Sequence, residues 1–482
     1  MAIFNLSISA KYFGVSIDRD VWLLALNAVI ILDVAIWAPI NDTFRAKFLF
    51  TKADKGEAVA LQQTGSLLLF INLTTIALVA FIMVFPSIFA KLLAPSYDAY
   101  KYDALIFMIR VVAPTFLLNQ VSKILISVLN TYNSFVMPEI GGLFIQFFTF
   151  VVIVTLAPKM GIMSLAISYY AGLLLFVVLL ILQLRKHKIN LFQHMFRAKL
   201  KLALPFFAFS LPFFLPHFVS QLNLIVEKSL AASTFTGAVS MLDYARKFID
   251  VPLDVLIGIL VSLLVPVLTV KFAERLTTDF VAEFLKIYQF GFLIIAVIVG
   301  MFTGCSDAIV DFLYNKGNIS AAYLLQISNL TRLYSWCSLC VFLYHIFGVT
   351  LIATNRGKLF AFYGVIAHIV MIGINLLFFR GFGTYVFPVS LGLSHLLAAI
   401  AMSFYFPVKD RRFFKVSIKY ALLVASIGIL MYVVNRVIVL ESALFIIILN
   451  MIALSTILLT TIFVGRFEER NIIRKYLGKV FA

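Results

Sequence analysis

The sequence is poor in acid, in cysteine and in charge altogether. Aspartate and glutamate number 22 in 482 residues, charged residues of both signs make up 13%, and there are three cysteines. Soluble domains carry roughly 25% charged residues, so an ordinary water-facing surface cannot be built from this chain. Cys305, Cys337 and Cys340 are too few for a disulfide framework. The Cys337-x-x-Cys340 spacing has no second pair to complete a zinc site, so the thiols read as small apolar packing groups. His217, His345, His368 and His395 stand singly on separate apolar stretches and read as packing histidines. No glycine-rich phosphate loop sits between a strand and a helix, which excludes an ATP-hydrolysing motif, and no cofactor is expected.

Apolar surface is what the chain has instead. Hydrophobic residues make up 63% of it and the mean hydropathy is +1.05. Stretches of roughly 20 apolar residues, enough to cross a ~30 Å hydrocarbon layer as a helix, recur from end to end. Thirteen are recognised, the first at 21–40 and the last at 442–464. They are unbroken rather than alternating, which excludes a transmembrane β-barrel. The expected class is an all-α polytopic membrane protein.

The net charge of +17 follows the same logic. Lys and Arg gather on alternate loops, most densely at 185–201, 409–419 and 466–479. Cytoplasmic loops retain such residues, so these loops and the C-terminus are placed inside, and no nucleic-acid partner is expected. Thirteen crossings then put the N-terminus outside, although residues 1–20 have no signal-peptide pattern. The apolar piece 2–9 reads as the end of a first helix that is otherwise missing.

One apolar stretch carries Arg110 and Asn133 at its ends, and another carries Arg332 and Asn355 at the same spacing, with Leu129 matched by Leu351. The two run in the same direction through the membrane, which describes a parallel repeat. Such repeats are one transporter plan, with the substrate bound between halves near the midplane. The expected division is an N-lobe at 1–201 with its first helix mostly absent, a C-lobe at 202–408, and two further helices with a basic tail at 409–482.

Ionisable residues within apolar helices mark candidate sites, because each costs about 2.5–3.5 kcal/mol at the bilayer centre. Asp243, Arg246, Lys247, Asp250 and Asp254 follow spacings of three and four and share one helix face. At those spacings Asp243 can pair with Lys247, and Arg246 with Asp250. Such a face cannot meet lipid and is expected to line a wet cavity. Arg110 and Lys123 are further candidates within reach of a helix end, and Arg332 is another that sits deeper, roughly ten residues into its stretch unless its helix starts later. Glu227 reads as a loop residue paired with Lys228. Pro205, Pro212 and Pro216 in one helix, with Pro114 and Pro266 in others, supply points of bending.

Several stretches together resemble one family. The segments 222–232 (LNLIVEKSLAA) and 239–252 (VSMLDYARKFIDVP) are similar to the seventh and eighth helices of the MurJ (MviN) lipid II flippases. The pieces 93–97 (LAPSY), 128–138 (VLNTYNSFVMP), 313–321 (LYNKGNISA) and 12–16 (YFGVS) look like that family's loop motifs and appear in its chain order. The resemblance runs from about residue 10 to the last helix. It implies the multidrug/oligosaccharidyl-lipid/polysaccharide exporter fold, with two six-helix lobes, two extra C-terminal helices and a cationic cavity. It also implies a monomer in the bacterial cytoplasmic membrane that moves a lipid-linked glycan without nucleotide hydrolysis.

By the same resemblance Lys247, with Arg246 beside it, takes the place of a cavity arginine, and Asp20 matches an acidic residue at the start of the second helix. Glu227 and Asn375 fall near a proposed cation site, so Na+, H+ or the membrane potential is the implied energy source. The sequence departs from the pattern in two places. Asp33-Val34 stands where a pair of arginines is expected, and Phe379 stands where an acidic residue is expected. Two other functions compete with the flippase: an ion-coupled exporter of small molecules, which Asp33, Asp250 and Asp254 would suit, and a non-transporting scaffold for envelope assembly.

Overall fold

The computed structural model describes the whole chain except residues 133, 135, 188, 190, 196–197, 317, 408–410, 438–439 and 472–482. Asn133 of the repeat, Lys409 and most of the basic tail therefore lie outside the described residues. The chain forms two compact units, one of Met1–Met241, Lys316–Ile319 and Gly364–Val386, the other of Leu242–Asn315, Ser320–Tyr363 and Phe387–Ala482.

The first unit begins with α1 (Ala2–Phe13), which packs against α8 (Val136–Met160). Gly14, at φ 56° and ψ −150°, breaks the chain, and Ser16 starts α2 (Ile17–Leu32) by accepting the Arg19 N–H at 3.3 Å. A π-helical turn (Asp33–Trp37) joins α2 directly to α3 (Ala38–Lys55), so 39 residues form one continuous span. This helix runs far beyond the apolar stretch at 21–40, because nothing before Gly56, at φ 86°, interrupts it. Next come α4 (Glu57–Val84), the short α5 (Pro86–Leu93), α6 (Ala99–Val112) and α7 (Thr115–Thr131). After α8 the unit holds α9 (Met163–Lys186), α10 (Leu191–Met195) and α11 (Leu200–Ala232). Helices α3 and α11 run antiparallel, with Phe44 stacked on Phe206 at 5.2 Å between ring centroids and the Thr43 and Ser210 hydroxyls 2.6 Å apart.

Helix α12 (Ala238–Ile259) starts in the first unit and continues in the second. A second π-helical turn (Leu260–Leu264) leads to α13 (Val265–Ala273), then to α14 (Thr277–Tyr314) and α15 (Ala321–Ala353). The chain ends with α16 (Gly357–Phe382), α17 (Val386–Ser403), α18 (Arg411–Val437) and α19 (Ala443–Val464). Helix α14, kinked at Cys305, is the hub of the second unit and packs on α13, α15, α18 and α19. Phe284, Tyr288 and Phe292 recur at every fourth position along it and meet Phe342, Phe347, Phe413 and Tyr420 ring to ring. Tyr288 brings its hydroxyl within 2.9 Å of Ser417 Oγ, so the polar tip of a buried ring is satisfied.

Twelve helical spans among the described residues are long and apolar enough to cross a membrane, against thirteen stretches in the sequence. The difference lies at Gly357–Ser403, where α16 and α17 are joined through a 3₁₀ turn at Gly383–Tyr385 and count as one span of 47 residues. A helix of that length would be roughly 70 Å long, enough for two crossings. Gly383, at φ 54°, provides the turn between them.

Candidate functional site

The charged face of α12 is built by anchoring the opposite face. Tyr244, Ala245 and Phe248 are buried. The Tyr314 hydroxyl donates to the Tyr244 carbonyl at 3.4 Å, and the Thr331 hydroxyl donates to the Ala245 carbonyl at 3.2 Å. Rings of Tyr244 and Phe248 lie 4.9 and 5.2 Å from that of Tyr314. With these residues turned inward, helical geometry turns Asp243, Lys247 and Asp254 the other way. Arg246 Nε lies 3.3 and 3.2 Å from the two carboxylate oxygens of Asp250, so the expected i,i+4 pair forms. Lys247 is exposed, and among the described residues its ammonium makes no hydrogen bond or ion pair. Asp254 lies within electrostatic range of Asp250, Lys247 and Arg246. The face thus offers one neutralised pair, the exposed ammonium of Lys247, and the carboxylates of Asp243 and Asp254 on the same side of the helix.

The remaining candidates sit elsewhere. Arg110, at the end of α6, donates from Nε to the Met83 carbonyl at 3.2 Å and so caps the last turn of α4. Arg332 reaches Asp307 at 2.8 Å and Asn329 at 3.0 Å. Lys123 lies 2.5 Å from the buried Asp33 carboxylate, turned inward rather than toward a helix end. Glu227 is a buried residue within α11, not a loop residue, because the helix persists to Ala232; Lys228 Nζ stands 3.4 Å from its carboxylate. Asn375 on α16 is fully buried, with neither side-chain polar atom hydrogen-bonded among the described residues.

Asp20 is 0% exposed. Its two oxygens accept the backbone N–H groups of Gly237 and Ser240, each at 2.7 Å, and the Ser240 hydroxyl also donates to it. These are the orphan donors at the start of α12, so the structure places Asp20 as that helix's cap, supplied from a distant part of the chain. Loop motifs gather nearby. Asn318 donates to the Lys11 carbonyl, and the Ser96 hydroxyl donates to the Ala232 carbonyl at 3.4 Å. Burial, with the charge of Asp20 adding to it, pushes the Tyr97 phenol above its usual range.

Sequence reasoning missed the partners. Asp33 with Asn119 around Lys123, and Asp307 beside Arg332, form pairs between different helices. The available signal was a carboxylate and an ammonium each stranded in an apolar span, where neither is stable alone.

The fold is that of polytopic transporters of the MOP superfamily. An inward-facing multidrug resistance MATE family transporter of that superfamily aligns with 88% of this chain and 95% of its own, at TM-score 0.73 and 10% identity. A MOP superfamily transporter from Pyrococcus furiosus aligns with 88% and 92%, at TM-score 0.62 and 11% identity. The lipid II flippase MurJ in an inward closed conformation aligns with 98% of this chain and 96% of its own, at TM-score 0.80 and 18% identity. The sequence profile of the family described as lipid II flippase MurJ matches residues 9–462, and the chain belongs to that family. No curated protein sequence matches it.

Proposed function

We propose that this protein moves a polyprenyl-diphosphate-linked glycan, a lipid II-like precursor, across the bacterial cytoplasmic membrane by alternating access. The C-terminus is cytoplasmic in this reading, and the protein acts as a monomer, without a cofactor and without catalysing a reaction. Such a substrate joins a lipid tail to a diphosphate and a hydrated glycan. The tail can stay in the bilayer, while the head needs a polar path with positive charge for the diphosphate.

The open ammonium of Lys247 on a membrane-spanning helix is the observation that carries the proposal. Arg246 assists, with Asp250 as its counter-charge when no substrate is bound. Arg110, Arg332 and Asp20 stabilise the helices that hold the path, and Asp243 shares the face of Lys247. Glu227 and Asn375 remain the groups for a coupling cation, with Lys228 already beside Glu227; the membrane potential is the other energy source. An exporter of small cations would need several open carboxylates, whereas Asp33 and Asp250 are each paired with a cation, which leaves Asp254 as the exposed one of the three.

The test is translocation of labelled lipid II in vesicles containing the full chain. A charge-assisted contact contributes about 1.5–3 kcal/mol, so Lys247→Ala should slow transfer about 10- to 100-fold, and Arg246→Ala by less. An unchanged rate in the double variant would overturn the reading.

A further inference from the structure

Asp33, in the π-helical turn of the first unit, is 2% exposed. Its Oδ2 accepts Lys123 Nζ at 2.5 Å and Asn119 Nδ2 at 2.8 Å, whereas its Oδ1 is buried and accepts nothing among the described residues. One turn further along, Trp37 Nε1 is a buried donor with no acceptor. On α7 the Gln120 Nε2, adjacent in sequence to Asn119, is another, while Gln120 Oε1 accepts from Asn41 at 3.2 Å. Buried polar atoms are almost always satisfied, so the open Oδ1 of this carboxylate describes a place for a proton or a water, and the open donors of Trp37 and Gln120 belong to the same two elements, the π-helical turn and α7.

The two partners of the ion pair differ in access. The Lys123 side chain is 35% exposed and that of Asp33 only 2%. The ammonium can therefore turn to an anion arriving from outside the helices, and the carboxylate cannot follow. We propose that Asp33 is a proton-binding site and that Lys123 passes between Asp33 and the diphosphate of the transported lipid. A proton adds to Asp33 Oδ1, the carboxyl becomes neutral, and the Lys123 N–H bond moves to a phosphate oxygen. Loss of that proton restores the carboxylate, which takes Lys123 back and releases the head group. One proton is bound per head group bound and one is given up per release. The inference rests on the proposed function for its substrate and adds a proton to that transport cycle.

The groups around Asp33 leave this exchange to Lys123. From α7, Lys123 is the charge that acts on it, and from α9 Tyr169 feels its field. Helices α3 and α11 bring Asp42 and His217, which pair with each other at 3.2 Å. From α2, Asp20 is committed to the α12 cap.

Linkage is reciprocal, so diphosphate affinity must rise as pH falls, by at most about tenfold per pH unit for one linked proton. The experiment measures binding to the full chain in lipid nanodiscs between about pH 5.5 and about pH 8. The probes are lipid II and a farnesyl-diphosphate-linked monosaccharide, whose diphosphate diester does not titrate in that range. Wild type should weaken as pH rises, Asp33→Asn should bind tightly at every pH, and Lys123→Gln should bind weakly at every pH. Lys123→Arg should restore the slope, which a merely structural role would not predict. A flat wild-type profile, or an unaltered slope in Asp33→Asn, overturns the switch. If the farnesyl probe shows the slope while lipid II is not bound, the switch stands and the lipid II reading falls. If lipid II is bound and moved with no slope, the function stands and the switch falls.

Discussion

Replacing Asp20 separates a structural cap from a substrate contact. In wild type its fully buried carboxylate accepts two backbone N–H groups at 2.7 Å and a hydroxyl. Both amides belong to the start of α12, where no carbonyl of the helix itself can reach them. In Asp20→Ala the Ser240 hydroxyl still has the Gly237 carbonyl at 3.2 Å, so the amides of Gly237 and Ser240 carry the loss. A buried donor left unsatisfied costs about 1–3 kcal/mol, which puts Asp20→Ala at about 2–6 kcal/mol. Asp20→Asn keeps one acceptor and turns a donor toward the other amide, so one bond is lost, about 1–3 kcal/mol. The favourable charge at the helix start is lost as well, about 0.3–1 kcal/mol. Denaturant titration in mixed micelles should rank wild type above Asp20→Asn and Asp20→Asn above Asp20→Ala, with faster amide exchange at residues 237–241. An Asp20→Ala protein within about 0.5 kcal/mol of wild type would refute the cap. If Asp20→Asn weakened substrate binding while leaving stability intact, the residue would be a ligand contact.

Two further substitutions probe the packing. Gly14→Ala places a Cβ against the Asn318 carbonyl oxygen at a φ of 56° and ψ of −150°, a conformation essentially restricted to glycine. Its unfolding free energy should fall by about 1–3 kcal/mol or more, and an unchanged midpoint would show that the Gly14 turn is not under that constraint. Phe284→Ala opens the aromatic core around α14, where Phe284 is 0% exposed and meets Tyr288, Phe347, Phe406 and Phe413. A loss of about 3–5 kcal/mol is expected from the same titration, and a loss below about 1 kcal/mol would mean that this core can collapse onto the gap.

Much of the fold was readable from hydropathy, while helix ends were not. Apolar runs report which residues meet lipid, whereas a helix continues until its backbone is interrupted. That is why α3 runs on to Lys55, stopped by Gly56, and why Glu227 lies inside α11 instead of in the loop after it. On α12 the spacing of Arg246 and Asp250 predicted their pairing, because neighbours on one helix are set by its pitch alone. The companion pairing of Asp243 with Lys247 is permitted by the same pitch, yet among the described residues the Lys247 ammonium is open.

The sequence by itself determined an all-α membrane chain, the family to which it belongs and the charged face of α12, because each depends on composition or on residues near one another along the chain. Only the tertiary structure decided the partners of isolated charges. Asp20 meets backbone amides more than two hundred residues away, Lys123 meets Asp33, and Arg332 meets Asp307. A backbone N–H is present at almost every position, and a carboxylate on another helix can be anywhere, so neither leaves a mark in the sequence that says which charge it will neutralise. Those pairings leave Lys247, which the family resemblance already singled out, with an open ammonium on a membrane-spanning helix.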